Sequence, residues 1–576
     1  MHIRPLSPSN FLLVTLICLL AACAPATPAR PATDPGVTAP AAPRVAKTLT
    51  IALQGEPAAL DVLMGGDIGG SPAAEMSLAL NERLSQYDNK GNIFPQLATD
   101  LPSLDKGTWV VNADGTMQTT YRLRPNIHWH DGQPLTARDV VFSWTVARDT
   151  ELPIATREVA NQISAIETPD DTTLIMRWVR SYPLANVLAE VEMAPRPVHL
   201  LQETYATDKE RFQRLGYWGK DFVGVGPYRV ERWDIGSRFV FTAFDGYYGA
   251  RPKIDTLNFV FIADEAATAA SLFAGAVDGE LRGMQPKAVL AAKKQWEQQG
   301  KKPWLALESV GMRAVEIQYR DQRHRELLDV RTRRGLLQAI DRETIGEAVY
   351  DTAAPQANGP VPPDDPRYAW MKSVETAYPY DQRRALELLS QVGWQRGPSG
   401  AMANAAGEPI SVGLMTTDGA QWVQTQAITA DAWRGIGIAA DEVVLSSARA
   451  RDREVNSTFP TFNGAFYGLN YLQPARVYAS AECAGADNRW TGANRGCYQS
   501  PDIDRVAQGI LTAVDPSQQQ RLWGDLARVY SDQLPSLPLY YVPWASLFRE
   551  GVTGPKGASW RAGSSSTWNV GEWDVN

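Results

Sequence analysis

Few residues in this chain have the type and spacing for chemistry. His128 and His130 flank Trp129, and Asp131 follows. On a strand, residues i and i+2 share a face, so these imidazoles could chelate a metal. A metal centre needs further ligands converging in space, and the expectation is that there is none. Cys483 and Cys497 are the only cysteines after residue 23. In an oxidising compartment an isolated pair at that spacing is most simply a disulfide, with a metal site as the alternative, although no His lies nearby. A bond closing such a loop of about 15 residues would stabilise by roughly 3 kcal/mol. Carboxylates are plentiful, and a glycosidase needs only two at the right separation. No pattern singles out such a pair. G-x-S-x-G, HExxH and G-x-x-x-x-G-K-[ST] are all absent, and GVGPY (224–228) is too short for a phosphate loop. The expectation is no catalytic residue, no cofactor and no enzyme activity.

The chain has 576 residues, 44% hydrophobic and 21% charged, which excludes wholesale disorder and collagen-like structure. The net charge of −8 argues against nucleic acid as a partner. Its 18 Trp are about twice ordinary usage. Aromatic faces stack on sugars, so this excess first suggests a saccharide cleft. Residues 11–20 (FLLVTLICLL) are too short to span a bilayer but suit a signal-peptide core. They run into Leu20-Ala21-Ala22-Cys23, which resembles the bacterial lipobox. Residues 1–22 are thus expected to be a lipoprotein signal peptide and Cys23 the lipidated new terminus. Residues 23–47, rich in Pro and Ala, read as a tether. No later stretch has eighteen consecutive apolar residues, so the expected body is exported and held to the membrane by lipid alone.

The elements that must position any site follow from periodicity and turn chemistry. Residues 48–53 read as a strand and 72–87 as a helix carrying Met76, Leu78, Leu80 and Leu84. Asp114-Gly115 turns a hairpin within 108–124. Thr136 and Asp139 form a capping box before a helix. Further hairpins span 162–179 and 226–243, and a strand spans 254–262. Residues 330–350 read as helical, and 381–392 as a helix after Asp381. A strand through Ile410, Val412 and Leu414, a helix over 420–434 closed by Gly435, and a strand over 438–445 form a parallel α/β unit.

Six blocks in order resemble the extracellular solute-binding protein family 5, the peptide, nickel and oligosaccharide receptors of ABC importers. They are PQLATDL with DGTMQTTYRLRPNIHWHDGQPLTARDVVFSW (95–144), GVGPYRVERW onward to LFAGAVDGE (224–280), DVRTRRGLLQAIDRETI (329–345), YPYDQRRALELLSQVGW (378–394), GCYQSPDIDRV (496–506) and LPSLPLYYVPWA (534–545). Most of these residues read as scaffold. The resemblance implies an α/β, two-lobed type II (cluster C) periplasmic-binding-protein fold with an inserted domain and a ligand cleft between the lobes. Mapped here, lobe I would be 48–85, 222–305 and 535–576. The inserted domain would be 86–221 and lobe III 306–534.

Its implied function is capture of an oligopeptide by cleft closure and delivery to ABC permease subunits with a cytoplasmic ATPase. The receptor would be a monomer and would bind no nucleic acid. Oligosaccharide or another polar solute is the alternative ligand, and an exported hydrolase or a tethered sensor the alternative class. In oligopeptide and dipeptide receptors the stretch matching 466–474 has an aromatic, then an Asp that pairs with the peptide's α-ammonium, then a Pro. Here the aromatic is Tyr467, the Pro is Pro474, and the Asp position holds Asn470, which carries no charge. Asn470, Tyr467, Gly468 and Tyr471 are the expected ligand contacts. Glu56 and Asp61, which resemble the family's "eP..LDp" segment near the cleft, join them. The family's dipeptide receptors have a cysteine pair like Cys483 and Cys497. The family blocks absorb Trp129, Trp144, Trp233, Trp394 and Trp544 as scaffold. That leaves Trp370, Trp422, Trp433 and Trp490 as the candidates for a cleft.

Overall fold

The computed structural model describes residues 45–65, 71–154, 156–189, 191–321, 323, 325–352, 354–468, 470–559 and 565–576. The leader, Cys23 and the tether as far as residue 44 lie outside the described residues. Ten strands make one mixed sheet: β1 (Thr48–Leu53), β2 (Tyr228–Asp234), β3 (Arg238–Ala243), β4 (Thr256–Phe261), β5 (Gly279–Leu281), β6 (Trp304–Ile317), β7 (Ser411–Thr417), β8 (Ala439–Leu445), β9 (Phe462–Gly468) and β10 (Ser536–Phe548). Their order across the sheet is β8-β7-β9-β6-β10-β5-β1-β4-β3-β2.

Two parallel groups sit toward opposite edges. β1 is parallel to β4 and β5, and β7 is parallel to β8 and β9. The long antiparallel strands β6 and β10 join them. β5 and β6 are both antiparallel to β10, so they run the same way, whereas β9 runs against β6. Leu281, the last residue of β5, pairs with Ser546, which in turn pairs with Ala306. Gly468, the last residue of β9, pairs with Gly311. The carboxyl ends of the two groups therefore meet head to head across residues 306–311 of β6.

A bulge lies at that level. Ser309 pairs with Pro543 and Gly311 with Val542, so Val310 is an extra residue that shifts the alternation of β6. Glu308 lies opposite Trp544, and Arg313 opposite Tyr540. Trp544 and Tyr540 share a face of β10, so the bulge brings Glu308 and Arg313 onto one face.

Helices Val330–Gln338, Arg342–Tyr350 and Ala420–Gly435 cover one face of β6, β7 and β9, packing Leu336, Ile345 and Trp433 on Val315, Ile317 and Phe462. Helices Pro501–Thr512 and Pro516–Gln533 cover the other, over Met312, Ala314 and Ala465. Helix Pro501–Thr512 starts at Ser500, whose hydroxyl accepts from Ile503 N, and buries Ile503, Val506, Ala507 and Ile510 at the spacing of one helical face. Within 86–221, four antiparallel strands (Trp109–Val111, Met117–Arg122, Thr173–Trp178, Ile163–Asp170) carry a core of Trp129, Trp178 and Tyr121. That core continues into Tyr471, Leu472, Val506 and Trp523.

The expected hairpins, the Asp114-Gly115 turn and the parallel strand–helix–strand unit are present. Asp139 accepts from Thr136 N at 2.8 Å, as the capping reading required. Three local expectations need correction. The helix expected over 72–87 ends at Leu80, and Ser85–Tyr87 is a strand. Leu80's carbonyl, left orphaned at that end, accepts from Gly226 N at 2.9 Å. A Cβ on Gly226 would lie 2.5 Å from Leu80's carbonyl carbon, so GVGPY owes its glycine to this close approach. Residues 330–350 form two helices because Asp341 caps the second, accepting from Thr344 N. The helix after β7 is closed by Gly437 at φ +94° rather than by Gly435.

Cys483 and Cys497 form a disulfide. It fastens the segment after β9, where Arg320 donates to the carbonyls of Ala484 and Arg495. Reduction, or Cys483→Ser with Cys497→Ser, should lower unfolding stability by about 3 kcal/mol. Chemical denaturation with and without reductant reads this directly, and unchanged stability would show the loop to be held by its hydrogen bonds alone.

Candidate functional site

In α/β sheets, ligands bind outside the carboxyl ends of parallel strands. At the ends of β1, β4 and β5 lies a recess of about 320 Å³ lined by Leu53, Gln54, Glu56, Glu75 and Arg282. Arg282, buried and at φ +55°, lies 3.3 Å from Glu75 Oε1 and 3.2 Å from Glu308 Oε2, with the Trp544 ring above it at 5.3 Å. Glu75 is held by Ser566 N at 2.8 Å and Glu308 by Ala558 N at 2.9 Å. Glu280 is fully buried beside them and accepts from Gly283 N at 2.8 Å. Burial pushes its carboxyl up to about 8, and the nearby Glu75 charge acts in the same direction. With Glu280 neutral, two carboxylates face one guanidinium.

Glu56 lines this recess and accepts from Trp233 Nε1 at 2.6 Å and Gly236 N at 3.0 Å, which ties it to the β2–β3 turn. Asp61 is placed differently. Arg196 donates to both its oxygens, at 2.9 and 3.0 Å, and both side chains are buried. Its carboxylate is thus committed to a bidentate pair whose rupture would cost about 3–5 kcal/mol.

The other group of strand ends carries the residues expected to touch ligand, and the pleat separates them. Phe466 and Gly468 alternate onto one face of β9 and Tyr467 onto the other. Phe466 is 42% exposed, and a Cβ on Gly468 would meet nothing within 4 Å. Asn470, two residues further on, is exposed. Tyr467 is buried, and its hydroxyl donates to Glu316 Oε1 at 2.9 Å. Tyr471 is buried too, between Arg367 (4.7 Å) and Trp523 (5.3 Å). Arg367 donates to Tyr471's carbonyl at 2.6 Å and is neutralised by Asp365, so it positions the turn that presents Asn470.

Several residues at the two groups of strand ends were not singled out by the sequence. Arg313 lies opposite Phe466, and its guanidinium sits 4.4 Å from the Trp422 ring, itself 6.2 Å from Phe466. A charge in the apolar run GMRAVEI was the available clue for Arg313. Glu75, Glu308 and Arg282 stand in three distant segments, and nothing local links them. Of the other Trp candidates, Trp433 is fully buried in the core and Trp490 lies beside Arg320.

The histidine pair does not converge. His130 is buried with Nε2 at 3.1 Å from Gly226 O, and Nδ1 accepts from Gly224 N at 3.1 Å. Burial pushes it down to about 4. Both ring nitrogens are therefore taken by backbone, which leaves none for a metal. Among the described residues no group of three or more His, Cys, Asp or Glu could hold a metal ion. No helix among them is long and apolar enough to cross a membrane.

Comparison with known proteins places this geometry. The model of bacterial extracellular solute-binding proteins, family 5 Middle, matches residues 92–488. The dipeptide-binding protein of Escherichia coli (strain K12) is 25% identical over 511 residues, covering 85% of this chain and 89% of that protein. The structure of the oligopeptide-binding protein AppA of Bacillus subtilis with a nonapeptide superposes with a TM-score of 0.69 at 20% identity, covering 93% of this chain and all (100%) of that one. NikZ of Campylobacter jejuni with Ni(L-His) gives a TM-score of 0.71 at 21% identity, covering 92% and 99%.

The Glu280 carboxyl yields a pH test. Its pKa in the folded chain, about 8, lies above the ordinary 4.5. The folded chain therefore binds the extra proton, and the stability this contributes is full below pH 4.5 and lost as pH rises through about 8. Glu280→Gln cannot ionise. Its melting temperature should rise relative to that of the original chain progressively between about pH 5 and pH 9. A constant offset across that range would place the ionised form in the fold.

Proposed function

The chain belongs to family 5 of the bacterial extracellular solute-binding proteins and has their two-lobed type II periplasmic-binding-protein fold, and we propose that it is the peptide-binding component of an ABC importer. The observation that carries this reading is the head-to-head meeting of two sets of strand ends across residues 306–311, with polar groups on one shared face. That arrangement suits a ligand clasped from both sides. In this reading lobe I comprises 48–85, 222–305 and 535–576, lobe III comprises 306–534, and 86–221 is inserted. β6 and β10 are the connections that flex, and the bulge at Val310, which interrupts the ladder, is the place where bending costs least.

The ligand's differential affinity for the closed arrangement supplies the signal read by permease subunits, which work with a cytoplasmic ATPase. Lipid on Cys23 and the tether keep the receptor beside them, outside the cytoplasm, as a monomer. No chemistry is performed on the ligand. The relatives' names support peptide as ligand: a dipeptide-binding protein and an oligopeptide-binding protein match over most of this chain.

Asn470, Gly468 and Glu56 are the ligand contacts we retain from the sequence. Tyr467, Tyr471 and Asp61 are assigned to support the site, because their polar atoms are engaged by Glu316, by Gln519 and Trp523, and by Arg196. Asn470 favours a second ligand class as well. A neutral amide accepts a hydrogen bond from an N-blocked peptide or a sugar hydroxyl without needing a charge.

Calorimetric titration with a peptide library, with Trp fluorescence as the second readout, should find ligands that are bound and returned unchanged. Asn470→Asp should then tighten free-amine peptides roughly tenfold or more over their N-acetylated forms. An equal effect on both forms would remove Asn470 from the ligand's amino end. A library without binders, alongside a co-purifying non-peptide solute, would replace peptide as the substrate.

A further inference from the structure

Arg313 is a buried cation that the fold leaves under-bonded. It is 3% exposed, and its one hydrogen bond among the described residues runs from Nη2 to Thr416 Oγ1 at 2.7 Å. Its Nε has no hydrogen-bonding partner among them. The acid that acts on it, Glu316, points to the opposite face of β6. There Glu316 is occupied by Asn463 (2.9 Å), Tyr467 (2.9 Å) and Arg495 (3.2 Å).

Other buried arginines here show what a structural guanidinium looks like. Arg342 donates to the carbonyls of Ala357, Pro538 and Tyr378 and to Asn358 Oδ1. Arg333 donates to the carbonyls of Gln533, Leu327 and Leu328. Both are saturated by acceptors of the fold. Arg313 instead has one hydrogen-bonded hydroxyl, the Tyr350 and Tyr540 phenols near it, and an aromatic face, the Trp422 ring at 4.4 Å. An unpaired charge held out of water is costly unless something supplies the counter-charge.

The surroundings admit such a partner. The guanidinium lies over Gly464, where a Cβ would stand 2.6 Å from Nη2. The absence of a side chain at 464 is what lets Arg313 lie flat on β9. Phe466, exposed and directly opposite Arg313 in the ladder, borders the same spot, at the carboxyl ends of β7 and β9. A guanidinium stacked on one face and bonded at one nitrogen retains donors in the planar fork that matches a carboxylate.

We propose that Arg313 receives a carboxylate of the bound ligand, the C-terminal carboxylate when that ligand is a peptide. The inference rests on the peptide-binding reading above and adds to it the end of the peptide that this lobe reads. Asn470 lies four residues beyond Phe466, at most roughly 14 Å along the chain, which fits a peptide of three or four residues between them.

The test compares trialanine and tetraalanine as free acids with the same peptides as C-terminal amides, by calorimetry. The original chain should bind the acids roughly 10- to 100-fold more tightly. Arg313→Gln should reduce that preference to about twofold or less while leaving amide affinity in place, with circular dichroism confirming the fold. Arg313→Lys, which keeps the charge but loses the fork, should fall between. Gly464→Ala, which displaces the guanidinium without altering charge, should also weaken the preference. Equal binding of acid and amide by the original chain overturns the proposal, and so does a preference that survives in Arg313→Gln. Failure of every peptide, acid and amide alike, to bind the original chain overturns the peptide reading itself. Binding without acid preference overturns only the role of Arg313.

Discussion

The register between β6 and β10 is the constraint on which the rest of the site depends. Among the described residues these two strands link the sheet's parallel groups. Their pairing sets how far each group extends, so the ends of β5 and β9 stop five residues apart along β6, at Ala306 and Gly311. A one-residue slip would turn every side chain of β6 to the other face. The bulge at Val310 makes one such slip in β6, and the ladder shifts again between Arg313 and Ala314, where Leu539 of β10 is the extra residue. The bulge keeps Val315 and Ile317 in the helix-covered core while bringing Glu308 and Arg313 to one side. A ladder interruption also bends its strand, so the irregularity that sets this placement is the one that the proposed closure would use.

Charge is distributed unevenly between the two strand-end groups. The first holds Arg282 between Glu75 and Glu308, with Glu280 buried beside them and a backbone donor on one oxygen of each carboxyl. Acid outweighs base there, and burial answers by holding Glu280 neutral. The second holds a guanidinium with too few acceptors and an exposed amide at Asn470. A dipolar ligand complements that asymmetry. Two other buried charge pairs are closed within the fold, Asp61 with Arg196 and Asp365 with Arg367.

The family blocks prove to be scaffold for identifiable reasons. In DGYYGARP, Tyr247 and Tyr248 both donate to the buried Glu82, whose carboxyl burial raises to about 7. In HWHDG, His130 is consumed by the backbone of GVGPY, so two blocks far apart in sequence are halves of one contact. Much of the Trp excess has the same explanation, with Trp129, Trp178, Trp394, Trp433, Trp523 and Trp573 fully buried. Trp422 and Trp544 instead stand against Arg313 and Arg282, although Trp544 lies in a block read as scaffold.

What the sequence determined by itself is local and cumulative. Strand and helix periodicity, Asp and Ser caps and the Asp114-Gly115 turn depend on neighbours within a few residues, and the cysteine pair closes a separation of only 14. The order of the family blocks added the fold class. Only the tertiary structure decided which face each side chain takes and what it meets there. Tyr467 and Gly468 are adjacent in sequence, yet the pleat sends one into a hydrogen bond with Glu316 and leaves the other bordering open space. Asp61 is held in a buried ion pair because Arg196, 135 residues away, folds onto it. Arg313 became a candidate site because the elements around it supply a glycine, an indole and one hydrogen-bonding hydroxyl, and no acid on its face. These outcomes depend on long-range pairing, and pairing leaves no trace in the spacing of a single chain.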